Sequence, residues 1–215
     1  MSLAFPAPQH VTLGIAGSAL RFPVRRVYCV GRNYAEHVKE MGGVVGRDPP
    51  FFFAKPPDAL VTDGRFPYPS MSDDVHHEIE LVVALGPQAK IFGCAVGLDI
   101  TRRDLQAAAK KLGRPWETAK SFDHSAPIGA IVAMDKVPAS GAITLDVNGQ
   151  RRQTGDISEM IWSVPEIIAE LGKLFELQAG DLIFTGTPSG VAAVQRGDRL
   201  QGTIAGIGTL AVGVV

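Results

Sequence analysis

The chain has 215 residues, 46% hydrophobic and 20% charged, a balance ordinary for a single folded domain with a substantial core. Its 21 basic and 22 acidic residues leave a formal net charge of −1, which gives no electrostatic reason to expect nucleic acid as a partner. No apolar run is long enough to span a bilayer, Met1 to His10 lack the basic-then-apolar pattern of a secretory signal, and the cytoplasm is the expected location.

In chain order, residues 1–25 predict a small antiparallel lead-in. Arg26 to Val30 predicts a strand, and Asn33 to Met41 a short helix stopped by Gly42-Gly43. Phe51 to Ala54 is a further short strand. Glu78 to Leu85, rich in β-branched residues, is a strong one. Ala95 to Ile100 predicts another strand, running into a helix over Thr101 to Leu112. There Thr101 and Asp104 stand at capping-box spacing, and Gly113 follows the end. Asn148-Gly149 between Ile143–Val147 and Gln150–Gln153 reads as a tight hairpin turn. Ser163 and Glu166 cap a helix through Leu171, and Leu182–Thr185 and the tail from Leu200 to Val215 supply the last strands. Cys29 and Cys94 sit inside apolar runs and read as buried thiols of a reducing compartment. The sum is a β-rich α+β domain with about three helices, without the alternation of a doubly wound sheet.

The chemistry begins at His77-Glu-Ile-Glu80. Residues two apart on a strand share a face, so Glu78 and Glu80 lie side by side, within an apolar sequence that argues against bulk water around them. Asp99 ends a second apolar strand. Three convergent carboxylates suit Mg²⁺ or Mn²⁺ and suit Zn²⁺ poorly; the alternative is an exposed strand face paired to lysines. His76 and His77 read as structural neighbours of such a site. His37 and Glu40, three apart on a helix, can form a carboxylate-oriented imidazole that activates water, or a surface pair. Arg103 and Gln106 follow Asp99 at the same spacing and can hold a carboxylate and a carbonyl, whereas Arg102, Lys110 and Lys111 read as solvated helix surface. Lys120, between apolar neighbours, can stabilise developing negative charge or snorkel. Thr185-Gly-Thr187-Pro-Ser-Gly190 is a strand entering a small-residue turn able to cradle an anion. The dinucleotide, Walker and Gly-x-Ser-x-Gly motifs are all missing.

Seven ordered blocks carry a resemblance: Val30-Gly-Arg-Asn-Tyr, His37-x-x-Glu40, Phe53-Ala-Lys-Pro, His77-Glu-Ile-Glu80, Gly97-Leu-Asp-Ile-Thr-Arg-Arg-Asp, Ala119-Lys-Ser-Phe-Asp and Thr185-Gly-Thr-Pro. In this order they resemble the fumarylacetoacetate hydrolase family, from about Arg26 to the C-terminus. Pro50-Phe-Phe-Phe, Thr101-Arg-Arg-Asp-Leu-Gln, Phe122-Asp-His-Ser-Ala-Pro and Met160-Ile-Trp-Ser-Val-Pro-Glu resemble its bacterial fumarylpyruvate hydrolase branch of gentisate breakdown, with acylpyruvases that decarboxylate oxaloacetate as near relatives. The resemblance implies a catalytic domain over residues 26–215 with a rolled, mixed β-sandwich-like fold, usually in a homodimer. It implies Mg²⁺ or Mn²⁺ on Glu78, Glu80 and Asp99, and a water-activating dyad of His37 and Glu40 on a segment able to act as a lid. It assigns Arg103, Gln106, Lys120 and Thr187 to substrate binding and oxyanion stabilisation. Against that resemblance, the stretch Gly86 to Gly93 looks several residues shorter than in relatives.

The activity so implied is hydrolysis of a carbon–carbon bond in an acylpyruvate, with fumarylpyruvate giving fumarate and pyruvate. By charge, three carboxylates and a divalent cation sum to −1, leaving Arg103 and Lys120 to offset the substrate. A second carboxylate on the acyl side needs its own cation, for which Arg32 and Lys55 are the candidates. The alternatives are an acylpyruvase with oxaloacetate decarboxylase activity and a non-catalytic 2-oxo acid binding protein.

Overall fold

A computed structural model describes residues 3–215; residues 1 and 2 of the expected lead-in lie outside the described residues. The lead-in is an antiparallel pair, Thr12–Gly14 with Arg21–Pro23. Two mixed sheets follow. The six-stranded sheet runs Val132–Ala133, Ile91–Leu98, Ile79–Leu85, Leu182–Phe184, Val27–Gly31, Phe51–Lys55. Only Leu182–Phe184 and Val27–Gly31 are parallel neighbours in it. The five-stranded sheet runs Gln150–Asp156, Ala142–Val147, Arg199–Ile204, Gly208–Val214, Arg65–Phe66, with its last pair parallel. Among the described residues four α-helices accompany them: α1 (Ala35–Glu40), α2 (Arg103–Leu112), α3 (Glu117–Lys120) and α4 (Val164–Leu174). No helix among the described residues is long and apolar enough to cross a membrane.

The expected rolled, mixed β architecture is thus what the chain adopts. Alternation on Ile79–Leu85 explains how. Ile79, Leu81, Val83 and Leu85 join Ile143, Leu145, Leu200 and Ile204 of the five-stranded sheet in one core cluster. Val82 and Ala84, on the other face, pack with Cys29, Phe184 and the lead-in residues Leu13 and Phe22 in a second. The sheets approach closely at Gly202, where a Cβ would stand 2.8 Å from the Ile79 Cδ1. Cys29 and Cys94 are both buried and free.

Local expectations hold in most places. Asn148 and Gly149 take φ of 51° and 77°, the left-handed pair that a tight hairpin turn needs. Glu166 accepts from the backbone and hydroxyl of Ser163 at 2.9 and 2.7 Å and so holds the start of α4. The short Gly86–Gly93 stretch is a closed turn, with the Gly86 N–H donated to the Lys90 carbonyl at 2.8 Å. Two expectations need correction. Thr101 is no helix cap: α2 begins at Arg103, and the Thr101 hydroxyl donates to Glu78 Oε1 at 3.2 Å. Asp104 instead accepts from Ser72 at 2.7 Å. The second is α3, an unexpected single turn that carries Lys120 to the end of the central strands.

Candidate active site

Glu80 lies in the strand Ile79–Leu85, and Glu78 immediately precedes it. Register places Glu80 opposite Gly97, and the Asp99 N–H donates to the Glu78 carbonyl at 2.9 Å. The three carboxylates therefore converge where the strands end, with one oxygen from each inside a 4.8 Å set. They are 4%, 2% and 1% exposed, which rules out the open-face alternative.

Their partners differ. Glu78 Oε1 accepts from Arg103 at 2.5 Å and Oε2 from Lys120 at 2.8 Å. Asp99 Oδ2 accepts from Lys120 at 2.7 Å. Burial opposes ionisation of Glu78, but Lys120 and Arg103 prevail and hold its carboxyl well below the usual range. Burial likewise opposes the charge on Lys120, yet Asp99 and Glu78 raise it above an ordinary lysine. Glu80 has no cation within salt-bridge distance among the described residues. It accepts the Gly186 N–H at 2.7 Å, and burial together with the charges of Asp99 and Glu78 pushes its carboxyl well above the usual range.

These contacts test whether a hard cation fits. Asp99 Oδ1 is buried 2.9 Å from the Lys55 ammonium yet accepts no hydrogen bond among the described residues. That leaves one buried carboxylate oxygen without a hydrogen bond, beside a buried Glu80 that has no cation, and a divalent ion would serve both; an all-oxygen set suits Mg²⁺ or Mn²⁺. Neither His76 nor His77 contributes an atom to the set.

Facing the carboxylates across a cleft is His37 on α1. Its Nδ1 lies 3.1 Å from Glu40 Oε2. A carboxylate only accepts, so Nδ1 carries a proton, which in the neutral ring leaves Nε2 as the acceptor. Arg103, Gln106 and Lys120 line the same cleft with Thr187, and Phe51 and Trp116 form an aromatic wall. These two rings meet edge to face at 5.1 Å.

A model of the C-terminal domain of fumarylacetoacetate hydrolases matches residues 26–215. The chain belongs to the fumarylacetoacetate hydrolase family. It is 49% identical to a fumarylpyruvate hydrolase from Pseudomonas aeruginosa whose crystal structure holds Mn²⁺ and pyruvate, with a TM-score of 0.96 over 100% of this chain and 99% of that one. It is 44% identical to a fumarylpyruvate hydrolase of Ralstonia sp over 176 residues, 76% of this chain and 92% of that protein. It is also 41% identical to an oxaloacetate tautomerase of Escherichia coli (strain K12) over 205 residues, 88% of this chain and 93% of that protein.

Of the residues that the fumarylacetoacetate hydrolase blocks single out, the cleft gathers Arg32, His37, Glu78, Glu80, Asp99, Arg103, Gln106, Lys120 and Thr187. Glu40 stands behind His37, its second oxygen fixed by the Gly190 N–H at 2.9 Å. Lys55 requires correction. Its side chain is 0% exposed behind Asp99 and donates to the carbonyls of Ile100 and Lys120, so it cannot meet a substrate carboxylate. The turn Thr185–Gly190 also differs from the anion cradle expected of it. Its Gly186 and Gly190 amides hold the chain's own Glu80 and Glu40. Gly186 does so at φ 97°, where a Cβ would also stand 2.7 Å from Asn33.

Two site residues escaped the sequence reading. Lys110 lines the cleft with its ammonium 5.1 Å from the Trp116 ring centroid. The spacing Arg103, Gln106, Lys110 marks one helix face and could have revealed it. Gln153, 0% exposed beneath Thr187, carried no local signal at all.

Proposed function

We propose that this chain is a metal-dependent hydrolase of acylpyruvates, with fumarylpyruvate as substrate and fumarate and pyruvate as products, and with residues 26–215 as its catalytic domain. The observation that carries this is a buried carboxylate triad facing a glutamate-oriented imidazole across one cleft. Glu78, Glu80 and Asp99 would hold Mg²⁺ or Mn²⁺. When bound, the ion supplies Lewis acidity that lowers the cost of negative charge on the oxygens of a 2-oxo acid.

The remaining chemistry belongs to side chains. Gln106 Oε1 accepts from Arg103 Nη1 at 2.7 Å, which leaves the Gln106 amide hydrogens free to donate to the substrate. His37 Nε2 takes a proton from water as the oxygen bonds to the acyl carbon. The bond to the pyruvate unit then breaks, its electron pair leaves as enolate, and the proton held at His37 returns to the enolate carbon. Phe51 and Trp116 supply an apolar side to the same cleft.

Charge favours a dicarboxylate. Arg103 and Lys120 are already engaged by Glu78 and Asp99, and Lys55 adds a third cation beside the three carboxylates. These three cations and three carboxylates therefore cancel, and a divalent ion leaves a positive excess that an anionic 2-oxo acid balances. Arg32 and Lys110, beside Phe51 and Trp116, would meet the far carboxylate.

A second activity has a specific support, the 41% identity to an oxaloacetate tautomerase. Keto–enol exchange moves protons on a 2-oxo dicarboxylate and needs no water attack. The test is to supply fumarylpyruvate, acetylpyruvate and oxaloacetate to protein with Mn²⁺, Mg²⁺ or chelator. Release of fumarate and pyruvate only with metal supports the hydrolase; oxaloacetate enol–keto exchange without cleavage of either acylpyruvate replaces it with the tautomerase. Homodimer formation and a cytoplasmic location are the accompanying expectations, the former tested by sedimentation.

A further inference from the structure

Gln153 lies in the strand Gln150–Asp156 of the five-stranded sheet, yet its side chain reaches under the cleft. It is 0% exposed and makes four hydrogen bonds. Two of these involve main-chain groups, which have only one polarity. Oε1 accepts the Ile79 N–H at 3.1 Å, and Nε2 donates to the Pro188 carbonyl at 2.8 Å. The orientation of the amide is therefore dictated by backbone, and the other two bonds follow. His77 Nδ1, 2.9 Å from Oε1, must carry a proton. The second Nε2 hydrogen must go to Thr187 Oγ1 at 2.8 Å.

This decides what Thr187 can do. Its oxygen already accepts a hydrogen bond, and its own O–H has no acceptor among the described residues. We infer that Gln153 is a positioning residue that fixes the Thr187 hydroxyl as a hydrogen-bond donor into the cleft, toward a carboxylate or carbonyl oxygen of the 2-oxo acid. His77, 0% exposed, supports the arrangement as a donor on the opposite side of the same amide. This rests on the proposed 2-oxo acid site, while cleavage of the acylpyruvate enters only the kinetic measurement.

Gln153→Glu separates the two halves of the side chain. The carboxylate still accepts from Ile79 and His77 but can no longer donate, so the Thr187 hydroxyl turns to donate to it and is lost to the ligand. Pyruvate affinity, titrated with Mn²⁺ present, should fall roughly ten- to a hundredfold, the scale of one hydrogen bond to a charged group. kcat/KM for fumarylpyruvate should fall alongside, with Mn²⁺ affinity within about twofold of wild type. In a Thr187→Val background Q153E should have almost no further effect, whereas Thr187→Ser, which keeps the hydroxyl, should stay sensitive. A full loss persisting in T187V, or a parallel loss of Mn²⁺ affinity, overturns the inference in favour of a merely structural role. If Q153E does not fold, Gln153→Met enters the same cycle, and the same non-additivity with T187V is required. Wild-type protein that binds pyruvate but cleaves no acylpyruvate overturns the hydrolase reading and leaves the binding cycle to judge Gln153.

Discussion

His37 Nδ1 and Glu40 Oε2 stand 3.1 Å apart within α1, while the other oxygen of Glu40 takes the Gly190 N–H at 2.9 Å. The imidazole is thus aimed by a carboxylate that is itself anchored to the turn following the central strand Leu182–Phe184. His37→Ala should lower kcat by about a hundred- to ten-thousandfold, the usual worth of a general base. Mn²⁺ affinity, read by calorimetry, should be nearly unchanged, because His37 is outside the carboxylate set. Retention of most of kcat would assign the base to another group.

Of the three carboxylates, Glu80 is the one with no cation of its own among the described residues. Glu80→Ala should abolish both Mn²⁺ binding and the rise in Tm that Mn²⁺ confers on the wild type. Burial and the neighbouring charges of Asp99 and Glu78 raise its carboxyl, so protons compete with the ion there. The sign is that affinity weakens as pH falls, because binding requires the ionised form. Calorimetric Kd values at pH 8 and pH 6 check this, and a Kd that is flat or tightens on acidification would contradict it.

Lys55 should act through stability and leave specificity alone. Its ammonium is sealed against Asp99 and two carbonyls, so Lys55→Met removes one member of a buried ion pair. The expected cost is about 3–5 kcal/mol by denaturant unfolding. The ratio of kcat/KM for fumarylpyruvate to that for acetylpyruvate should not change in whatever folded protein remains.

Arg32 and Lys110 should show the opposite pattern. Both line the cleft and neither has an acidic partner within salt-bridge distance among the described residues. Arg32→Ala and Lys110→Ala should each reduce kcat/KM for fumarylpyruvate by roughly two- to fivefold, the scale of an exposed charge contact, with little change for acetylpyruvate. Equal losses on both substrates would show that neither cation meets the far carboxylate.

The local grammar of this protein was open to reading in one dimension. Alternation placed Glu78 and Glu80 on a common side, the capped start of α4 and the Asn148-Gly149 turn were visible as residue types, and i,i+3 spacing paired His37 with Glu40 and Arg103 with Gln106. Such features depend on neighbours along one strand or one helix, where geometry is nearly fixed. Charge pairing was not visible, because it depends on distance through space. Lys55 and Lys110 are alike as letters, yet one is sealed behind Asp99 and the other stands at the mouth of the cleft. Thr101 carried the spacing of a cap, but the convergence of strand ends turned its hydroxyl to Glu78. Gln153 is 74 residues from Ile79 and 34 from Thr187, and only the packing of one sheet on the other brings its amide between them. The identity of the site's chemical groups was therefore a property of the sequence; which carboxylate is paired, which cation is free and which hydroxyl can donate were decided by tertiary structure, because burial leaves each polar group only the partners that the fold places within reach.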